Sequence, residues 1–258
     1  EFIAERKRGR IFLRRCRARR AHACDAGIAL RPVVRLAGGK GDIGIRQEGG
    51  RRRPAAEPEH AKLAAIWPQL AEIWRTKQLQ YTWLRAITGD YTDFWQVTQD
   101  GLDFAMAALS LEGEAEMRER LLALYWELQA YEEVPEMLAK LNEQGFITAI
   151  LSNGSPDMLN GAVQSAGLDA LLDDVLSVES VGIFKPSAKV YDLVGEKLGV
   201  APSEVLFVSS NGWDAAGACG YGFQTVWVNR AGDPMDNLPA KPNFELDDLT
   251  LIPDLAAR

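Results

Sequence analysis

Residues 205–214 decide the fold of this chain and read Val205-Leu206-Phe207-Val208-Ser209-Ser210-Asn211-Gly212-Trp213-Asp214. The apolar run at the start of this stretch is bounded by turn residues, which is typical of a short strand. The polar residues that follow lead into a helical pattern, and Asp214 suits the first turn of a helix through the helix dipole. The stretch therefore predicts a strand that ends in polar side chains and feeds a helix.

The sequence around this stretch alternates between strand and helix patterns. The other short apolar runs that predict strands are 146–151, 175–178 and 225–228. The helical patterns between the strands are 156–167, 187–198 and 213–221. This alternation predicts right-handed crossovers and a doubly wound parallel α/β sheet, whose chemistry lies outside the carboxyl ends of its strands.

The chain between residue 62 and Gly145 has a different, almost purely helical pattern. Apolar residues recur at three and four spacing from Leu63 to Trp83, which is the period of a helix with one buried face. Further helical patterns are 98–110, 113–130 and 134–144. Tryptophan and tyrosine residues such as Trp95 and Trp126 are expected to fill a core rather than to contact a ligand.

Two more predicted strands are followed by polar clusters. Residues 151–156 read Leu-Ser-Asn-Gly-Ser-Pro, in which Ser155 is a candidate helix N-cap and Pro156 a first helical residue. Exposed amides at that helix start would hold an anion, although the cluster is also compatible with a simple turn and cap. Lys185 precedes Pro186 and is followed by Tyr191. It is either a solvated loop residue or an ammonium placed beside a carboxylate.

In this order, the three clusters resemble the second, third and fourth motifs of the L-2-haloacid dehalogenases of the haloacid dehalogenase superfamily. Residues 73–85, which read Ile-Trp-Arg-Thr-Lys-Gln-Leu-Gln-Tyr-Thr-Trp-Leu-Arg, are similar to the Trp-Arg-x-Lys-Gln-Leu-x-Tyr segment of that family's helical cap. The resemblance covers residues 62–245. It implies a Rossmann-like core with an inserted helical cap, and therefore a division into a cap region at 62–132 and an α/β core domain at 133–258.

The resemblance also implies which residues bind the substrate. Arg75 would receive the departing halide, with Asn153 and Phe94 helping to form its cradle. Ser152 and the neighbouring backbone amides would hold the substrate carboxylate. The residues that would pack the short alkyl part are Leu79 and Trp213.

The remaining matched residues would carry the chemistry. Lys185 would stabilise the nucleophilic carboxylate, with Tyr191 and Ser209 supporting the site. Asn211 and Asp214 would position and activate water. By this mechanism an Asp displaces halide from a small (S)-2-haloacid, and hydrolysis of the resulting ester frees an (R)-2-hydroxy acid.

Neither a metal nor another cofactor is expected from the resemblance. Phosphatases of the same superfamily hold Mg²⁺ through a Gly-Asp at the end of the fourth-motif strand, and Ser210 occupies the equivalent place here. A phosphatase is therefore the less favoured alternative.

The first motif of the family, a strand followed by Asp-x-Tyr-Gly-Thr-Leu, has no counterpart upstream of Arg75. Gly44 falls near its place. Asp42 and Asp25 are the candidate nucleophiles, although each is also compatible with an ordinary surface aspartate. A non-catalytic protein that binds small carboxylates or halide through Arg75, Ser152 and Lys185 is therefore an alternative of a different class.

Residues 1–61 form an atypical basic segment. Residues 1–60 contain 16 Lys and Arg against 7 Asp and Glu, whereas the rest of the chain contains 13 against 29. The segment is rich in Arg, Gly and Ala and has no sustained periodicity, so we expect it to be disordered or translated out of frame. A basic nucleic-acid-binding arm or a targeting peptide is less favoured, because aromatic residues do not interleave the arginines.

Composition limits the partners and the compartment. Apolar runs long enough to cross a bilayer are absent from the sequence, so no membrane partner is expected. Cys16, Cys24 and Cys219 suit neither a disulfide framework nor a zinc cluster, which favours a cytoplasmic location. The expected partner is a small 2-halo carboxylic acid and not a nucleic acid. A homodimer built on the aromatic-rich cap is an open alternative.

Overall fold

The computed structural model of the chain describes residues 2–5, 58–126 and 128–257. The strands are β1 Phe2–Glu5, β2 Ala149–Ser152, β3 Asp174–Ser177, β4 Val205–Ser209, β5 Gln224–Val228 and β6 Phe244–Leu246. The α-helices are α1 Pro58–Thr88, α2 Phe94–Ala108, α3 Ala115–Ala123, α4 Val134–Glu143, α5 Pro156–Ala166, α6 Ala188–Leu198, α7 Gly212–Tyr221 and α8 Ile252–Ala256. The predicted α/β class is confirmed.

The six strands form one sheet in the order β3-β2-β1-β4-β5-β6. The pairs β2–β3, β4–β5 and β5–β6 are parallel, as expected for strands joined by helical crossovers. Two apolar layers cover the faces of the sheet, and side chains alternate between them along each strand. Leu206 and Val208 of β4 belong to one layer, whereas Val205 and Phe207 belong to the other.

The middle of the sheet departs from the predicted all-parallel arrangement. Strand β1 lies between β2 and β4 and runs antiparallel to both. Phe2 pairs with Val208 and Glu5 with Val205, so the amino end of β1 lies at the carboxyl end of β4. Residues 1–61, for which we expected no regular structure, thus contain this strand and the start of α1 at Pro58. Four residues are too few to give a periodic signal in the sequence. Strand β1 is stabilised by hydrogen bonds to the backbone groups of its two neighbouring strands, which would otherwise be unpaired.

The helical part of the chain packs around its own apolar cluster. Trp67, Leu70 and Trp74 of α1 contact Leu102 and Met106 of α2 in this cluster. The two helices lie close together at Gly101, where an added Cβ would lie 3.3 Å from Trp74 and 3.4 Å from Gln78. Among the described residues, no helix is long and apolar enough to cross a membrane.

The predicted helix at 113–130 is shorter than expected. Helix α3 ends at Ala123, and a 3₁₀ turn at Leu124–Trp126 follows it. Contacts with α5 explain the end of the helix, because Trp126 packs onto Gly161 and Ser165 Oγ donates a hydrogen bond to the carbonyl oxygen of Leu128 at 2.9 Å. Tertiary contacts therefore override the local helical pattern.

Candidate active site

Lys185 lies in the loop between β3 and α6, close to the carboxyl ends of the central strands. Its side chain is 1% exposed, and its Nζ donates hydrogen bonds to the carbonyl oxygen of Leu151 at 2.7 Å and to Asp214 Oδ2 at 3.1 Å. Burial lowers the pKa of Lys185 to about 8, while the Asp214 carboxylate acts in the opposite direction. The predicted meeting of an ammonium and a carboxylate is present in the structure.

Asp214 is fully buried in the first turn of α7 and is held from several sides. Tyr191 donates a hydrogen bond to its Oδ1 at 2.7 Å, and the hydroxyl of Ser209 lies 3.4 Å from its Oδ2. Burial raises the pKa of Tyr191, and the nearby Asp214 charge raises it further, so the phenol stays a proton donor. Because both oxygens of Asp214 are engaged and buried, this carboxylate is poorly placed to attack a substrate directly.

The tip of β4 orders the turn that precedes α7. Ser209 Oγ accepts a hydrogen bond from the backbone nitrogen of Asn211 at 3.1 Å. This turn presents the Asn211 side chain towards α1, where Arg75 Nη2 donates a hydrogen bond to Asn211 Oδ1 at 2.7 Å. Arg75 and Asn211 are 136 positions apart in the chain. The helical region and the edge of the sheet therefore meet at this contact.

The tip of β2 forms the turn that leads into α5. Ser152 Oγ accepts a hydrogen bond from the backbone nitrogen of Gly154 at 3.1 Å, and Ser155 caps α5 by accepting from Met158. The backbone of this cluster therefore forms the turn and helix cap that the sequence allowed. Asn153 has a further role, because its Oδ1 accepts a hydrogen bond from the backbone nitrogen of Lys185 at 3.1 Å and ties that loop to β2.

The predicted apolar residues line the region where α1 and α2 face the sheet edge. Trp213, in the first turn of α7, packs edge-on against Trp83 with ring centroids 5.5 Å apart. Phe94 packs against Phe184, the residue before Lys185, at 6.3 Å. Leu79 is half-buried and lies one helical turn after Arg75. Leu79 and Phe94 thus flank the polar network without taking part in it.

Trp83, Phe184 and Tyr125 adjoin the predicted residues but were not singled out from the sequence. Burial raises the pKa of the buried Tyr125, whereas the hydrogen bond from Gln78 and the charge of Arg75 act in the opposite direction. A signal existed for Trp83, which lies two helical turns after Arg75 on one stripe of α1. The sequence held no comparable signal for Tyr125, because only the tertiary fold brings it near α1.

Comparisons with known proteins agree with this arrangement of residues. The family model for haloacid dehalogenase-like hydrolases matches residues 22–220. The chain belongs to this family. It is 43% identical to (S)-2-haloacid dehalogenase 1 from Pseudomonas sp. (strain CBS-3) over 74% of its length and 84% of that relative, and 41% identical to (S)-2-haloacid dehalogenase 4A from Burkholderia cepacia over 73% and 82%.

A solved structure of the same kind is also similar. The L-2-haloacid dehalogenase from Xanthobacter autotrophicus with chloropropionic acid covalently bound superposes with a TM-score of 0.69 at 36% identity. The similarity covers 76% of this chain and 90% of the other. The family assignment therefore rests on sequence and on structure together.

The centre of the site differs from what family membership leads one to expect. The strand between β2 and β4 is β1, whose amino end and not its carboxyl end lies beside the polar tips of its neighbours. The carboxyl end of β1, at Glu5, therefore lies at the edge of the sheet opposite the site. The two candidate nucleophiles, Asp25 and Asp42, lie outside the described residues.

A metal site is not evident in the part of the chain that the structure describes. Within residues 2–5, 58–126 and 128–257, no group of three or more His, Cys, Asp or Glu side chains is arranged to hold a metal ion. Ser210, half-buried at the tip of β4, would contribute a neutral hydroxyl where a hard divalent cation prefers a carboxylate.

Proposed function

We propose that this protein hydrolyses small (S)-2-haloacids to (R)-2-hydroxy acids and halide. A carboxylate of the enzyme attacks C2 in line with the carbon–halogen bond, and the halide leaves with the bonding electron pair. Water then adds to the carbonyl carbon of the ester, which frees the hydroxy acid with inverted configuration, regenerates the carboxylate and yields one proton. The covalently bound chloropropionic acid of the Xanthobacter autotrophicus dehalogenase supports a covalent step.

The observation that carries this proposal is the meeting of Arg75 with Asn211 above the buried pair of Lys185 and Asp214. A guanidinium is permanently charged and weakly hydrated, so it can stabilise negative charge that appears only as the bond to the halogen breaks. We assign Arg75 to the departing halide, with Asn153 and Phe94 nearby. An Arg75→Ala variant should therefore lose turnover more than substrate binding.

The sheet edge would serve the other groups of the substrate and the hydrolytic step. Ser152 Oγ already accepts a backbone hydrogen bond, so its own O–H is the group that would donate to the substrate carboxylate, together with the amides that begin α5. Leu79 and Trp213 would pack the alkyl part. Lys185, supported by Tyr191 and Ser209, would stabilise the attacking carboxylate, and Asn211 with Asp214 would orient the water.

The proposal includes several properties of the whole protein. We assign residues 62–132 to a cap and 133–258 to the core, because the first group packs around its own cluster and contacts the sheet edge through Arg75. We propose that the reaction needs no metal, since Ser210 replaces a carboxylate ligand. A cytoplasmic location follows from cysteine usage, including the unpaired Cys219. Exposed Leu84 and Ile87 on α1 favour a homodimer.

The direct test is to measure chloride release from (S)-2-chloropropanoate and phosphate release from a small phosphate monoester, each with and without a chelator. We expect chelator-resistant chloride release and no phosphate release. Substituting Asp25→Asn and Asp42→Asn separately would identify the nucleophile by loss of turnover. Phosphate release that depends on Mg²⁺ would overturn the proposal in favour of a phosphatase.

A second function is favoured by one observation, the antiparallel strand β1 in the centre of the sheet. The carboxyl end of this strand lies away from the site, so under this alternative Arg75 and Lys185 would bind an anion without any covalent step. Under this alternative, isothermal titration would detect binding of 2-chloropropanoate while halide release stayed absent from the wild type.

A further inference from the structure

We propose that Trp83, together with Trp213, forms the end wall of the substrate cleft and sets the longest 2-halo acid that the protein accepts. This inference deepens the proposed function and rests on it. It adds to the site a residue of α1 that lies beyond the segment contacting the halide.

Helix α1 places three residues in line. Arg75, Leu79 and Trp83 are spaced four residues apart, so they lie along one stripe of the helix. At a rise of about 1.5 Å per residue, Trp83 is about 12 Å further along the helix axis than Arg75. The stripe therefore runs from a charged end, through an aliphatic residue, to an aromatic end.

Both ends of this stripe contact the start of α7. Arg75 reaches Asn211 by a hydrogen bond of 2.7 Å, and Trp83 packs on Trp213 at 5.5 Å between ring centroids. On α1, the two contacting residues, Arg75 and Trp83, are eight positions apart. At the start of α7, their partners are only two positions apart. In the proposed arrangement, the segment of α1 between these two contacts, which includes Leu79, lines a short cleft against the start of α7.

The aromatic end of this stripe is packed against the ring of Trp213. The two indole rings meet at an interplanar angle of 82°, an edge-to-face arrangement that is favourable for aromatic pairs. The indole nitrogens of Trp83 and Trp213 are inaccessible to solvent and have no hydrogen-bond acceptor among the described residues. A buried N–H without an acceptor costs free energy, so packing and not hydrogen bonding holds these rings together.

The consequence concerns the substrate. With the halogen at Arg75, the alkyl group of a 2-halo acid would extend towards Leu79 and the two indoles. A chain that is too long for the cleft must displace an indole ring. One methylene group that fits or fails to fit an apolar pocket changes the specificity constant by about 10- to 200-fold. Shortening the side chain at position 83 should therefore admit longer acids.

The experiment compares the wild type with a graded series, Trp83→Phe, Trp83→Leu and Trp83→Ala. Bromide release from 2-bromopropanoate and 2-bromohexanoate gives the ratio of kcat/KM for the long and the short acid. We expect the ratio to rise through the series and to reach at least about 10-fold above the wild type in Trp83→Ala. Dissociation constants from isothermal titration of the same two acids should shift in the same direction.

The matched control is Trp95→Leu. Trp95 is another half-buried tryptophan of the helical region, but its ring contacts are with Tyr125 and Trp126. Melting temperatures of all variants separate destabilisation from specificity, because a loss of stability lowers activity on both acids without changing their ratio. An unchanged ratio in Trp83→Ala, or an equal change in Trp95→Leu, would overturn the inference.

The outcomes also separate this inference from the proposed function. If the wild type processes or binds 2-bromopropanoate and the Trp83 series keeps the same preference, the inference alone fails. If the wild type neither binds nor processes either acid, the proposed function fails and the inference fails with it.

Discussion

Lys185 at the sheet edge and Arg75 on α1 are positive charges that are held in place in opposite ways. Lys185 is 1% exposed and is fixed by burial, by the carbonyl of Leu151 and by Asp214. Arg75 is an exposed residue of α1 that reaches the sheet edge through Asn211. Changes at the sheet edge should therefore damage both the fold and the chemistry, whereas changes at Arg75 should damage the chemistry alone.

The largest effect is expected from Asp214→Asn. This substitution takes from Lys185 the carboxylate bonded to its ammonium, and breaking a buried ion pair in this way costs about 3–5 kcal/mol. The free energy of unfolding, measured by urea denaturation, should fall by that amount, and halide release should be lost.

Asp192→Asn provides the matched control, because Asp192 also accepts a hydrogen bond from a tyrosine, Tyr221, at 2.7 Å, but on the exposed side of α6. It should change the free energy of unfolding by less than about 1 kcal/mol. Equal losses in the two variants would contradict the contrast between a buried and an exposed carboxylate.

The pH dependence of halide release and of stability should distinguish the buried Lys185 from an exposed lysine. Burial lowers the pKa of Lys185 to about 8, so the ammonium is lost as the pH rises through that value, and halide release should fall over the same range. The contribution of Lys185 to stability should have the opposite sign. The folded state binds fewer protons than the unfolded state between about pH 8 and 10.5, so this contribution rises with pH across that window.

Lys140→Met is the control, since Lys140 is exposed on α4 and pairs with Glu136. This variant should show the same pH dependence of halide release and of the free energy of unfolding as the wild type. Lys185→Met should lose the contribution of Lys185 to both pH dependences. A halide-release profile that stays flat up to pH 10 would show that the ammonium is not needed.

A smaller effect is expected from Gln78→Met, which alters the support behind Arg75. The Gln78 amide donates to Thr98 Oγ1 at 2.9 Å and to the Tyr125 hydroxyl at 2.8 Å, and so links α1 to α2 and to the turn after α3. The substitution keeps the volume but leaves these buried groups without their donor, at a cost of about 1–3 kcal/mol. Halide release should fall modestly.

Gln96→Met is the control for this change, because Gln96 is exposed and bonds only across the surface of α2 to Asp100. It should leave the melting temperature unchanged. An equally stable Gln78→Met protein would show that the position of α1 does not depend on this buried amide.

The sequence predicted most strands of the sheet, and physical reasons separate these successes from the failures. The roles of the site residues stay predictions. Runs such as Val205–Ser209 are continuous, apolar and bounded by turns, so their strand character is local. The partners of Asp214 could be expected because parallel strands end at one edge of the sheet. The three-residue strand β6 and the five-residue helix α8 carry too little periodicity to be predicted.

Strand β1 and the contact between Trp83 and Trp213 could not be predicted, for a different reason. The position of β1 depends on a gap between β2 and β4, and its direction on the pairing of backbone groups far apart in the chain. The sequence places Trp83 on the same stripe of α1 as Arg75, but its contact with Trp213 forms only because α1 packs against the start of α7. Both are properties of the tertiary structure, for which a local pattern has no signal.

The central claim is that Arg75 and the sheet edge enclose one anion site, and bromide binding tests it most directly. A crystal grown in sodium bromide should show anomalous density for bromide at the Arg75 guanidinium beside Asn211, and Arg75→Ala should abolish it. Bromide found elsewhere, or retained at full occupancy in Arg75→Ala, would contradict the claim.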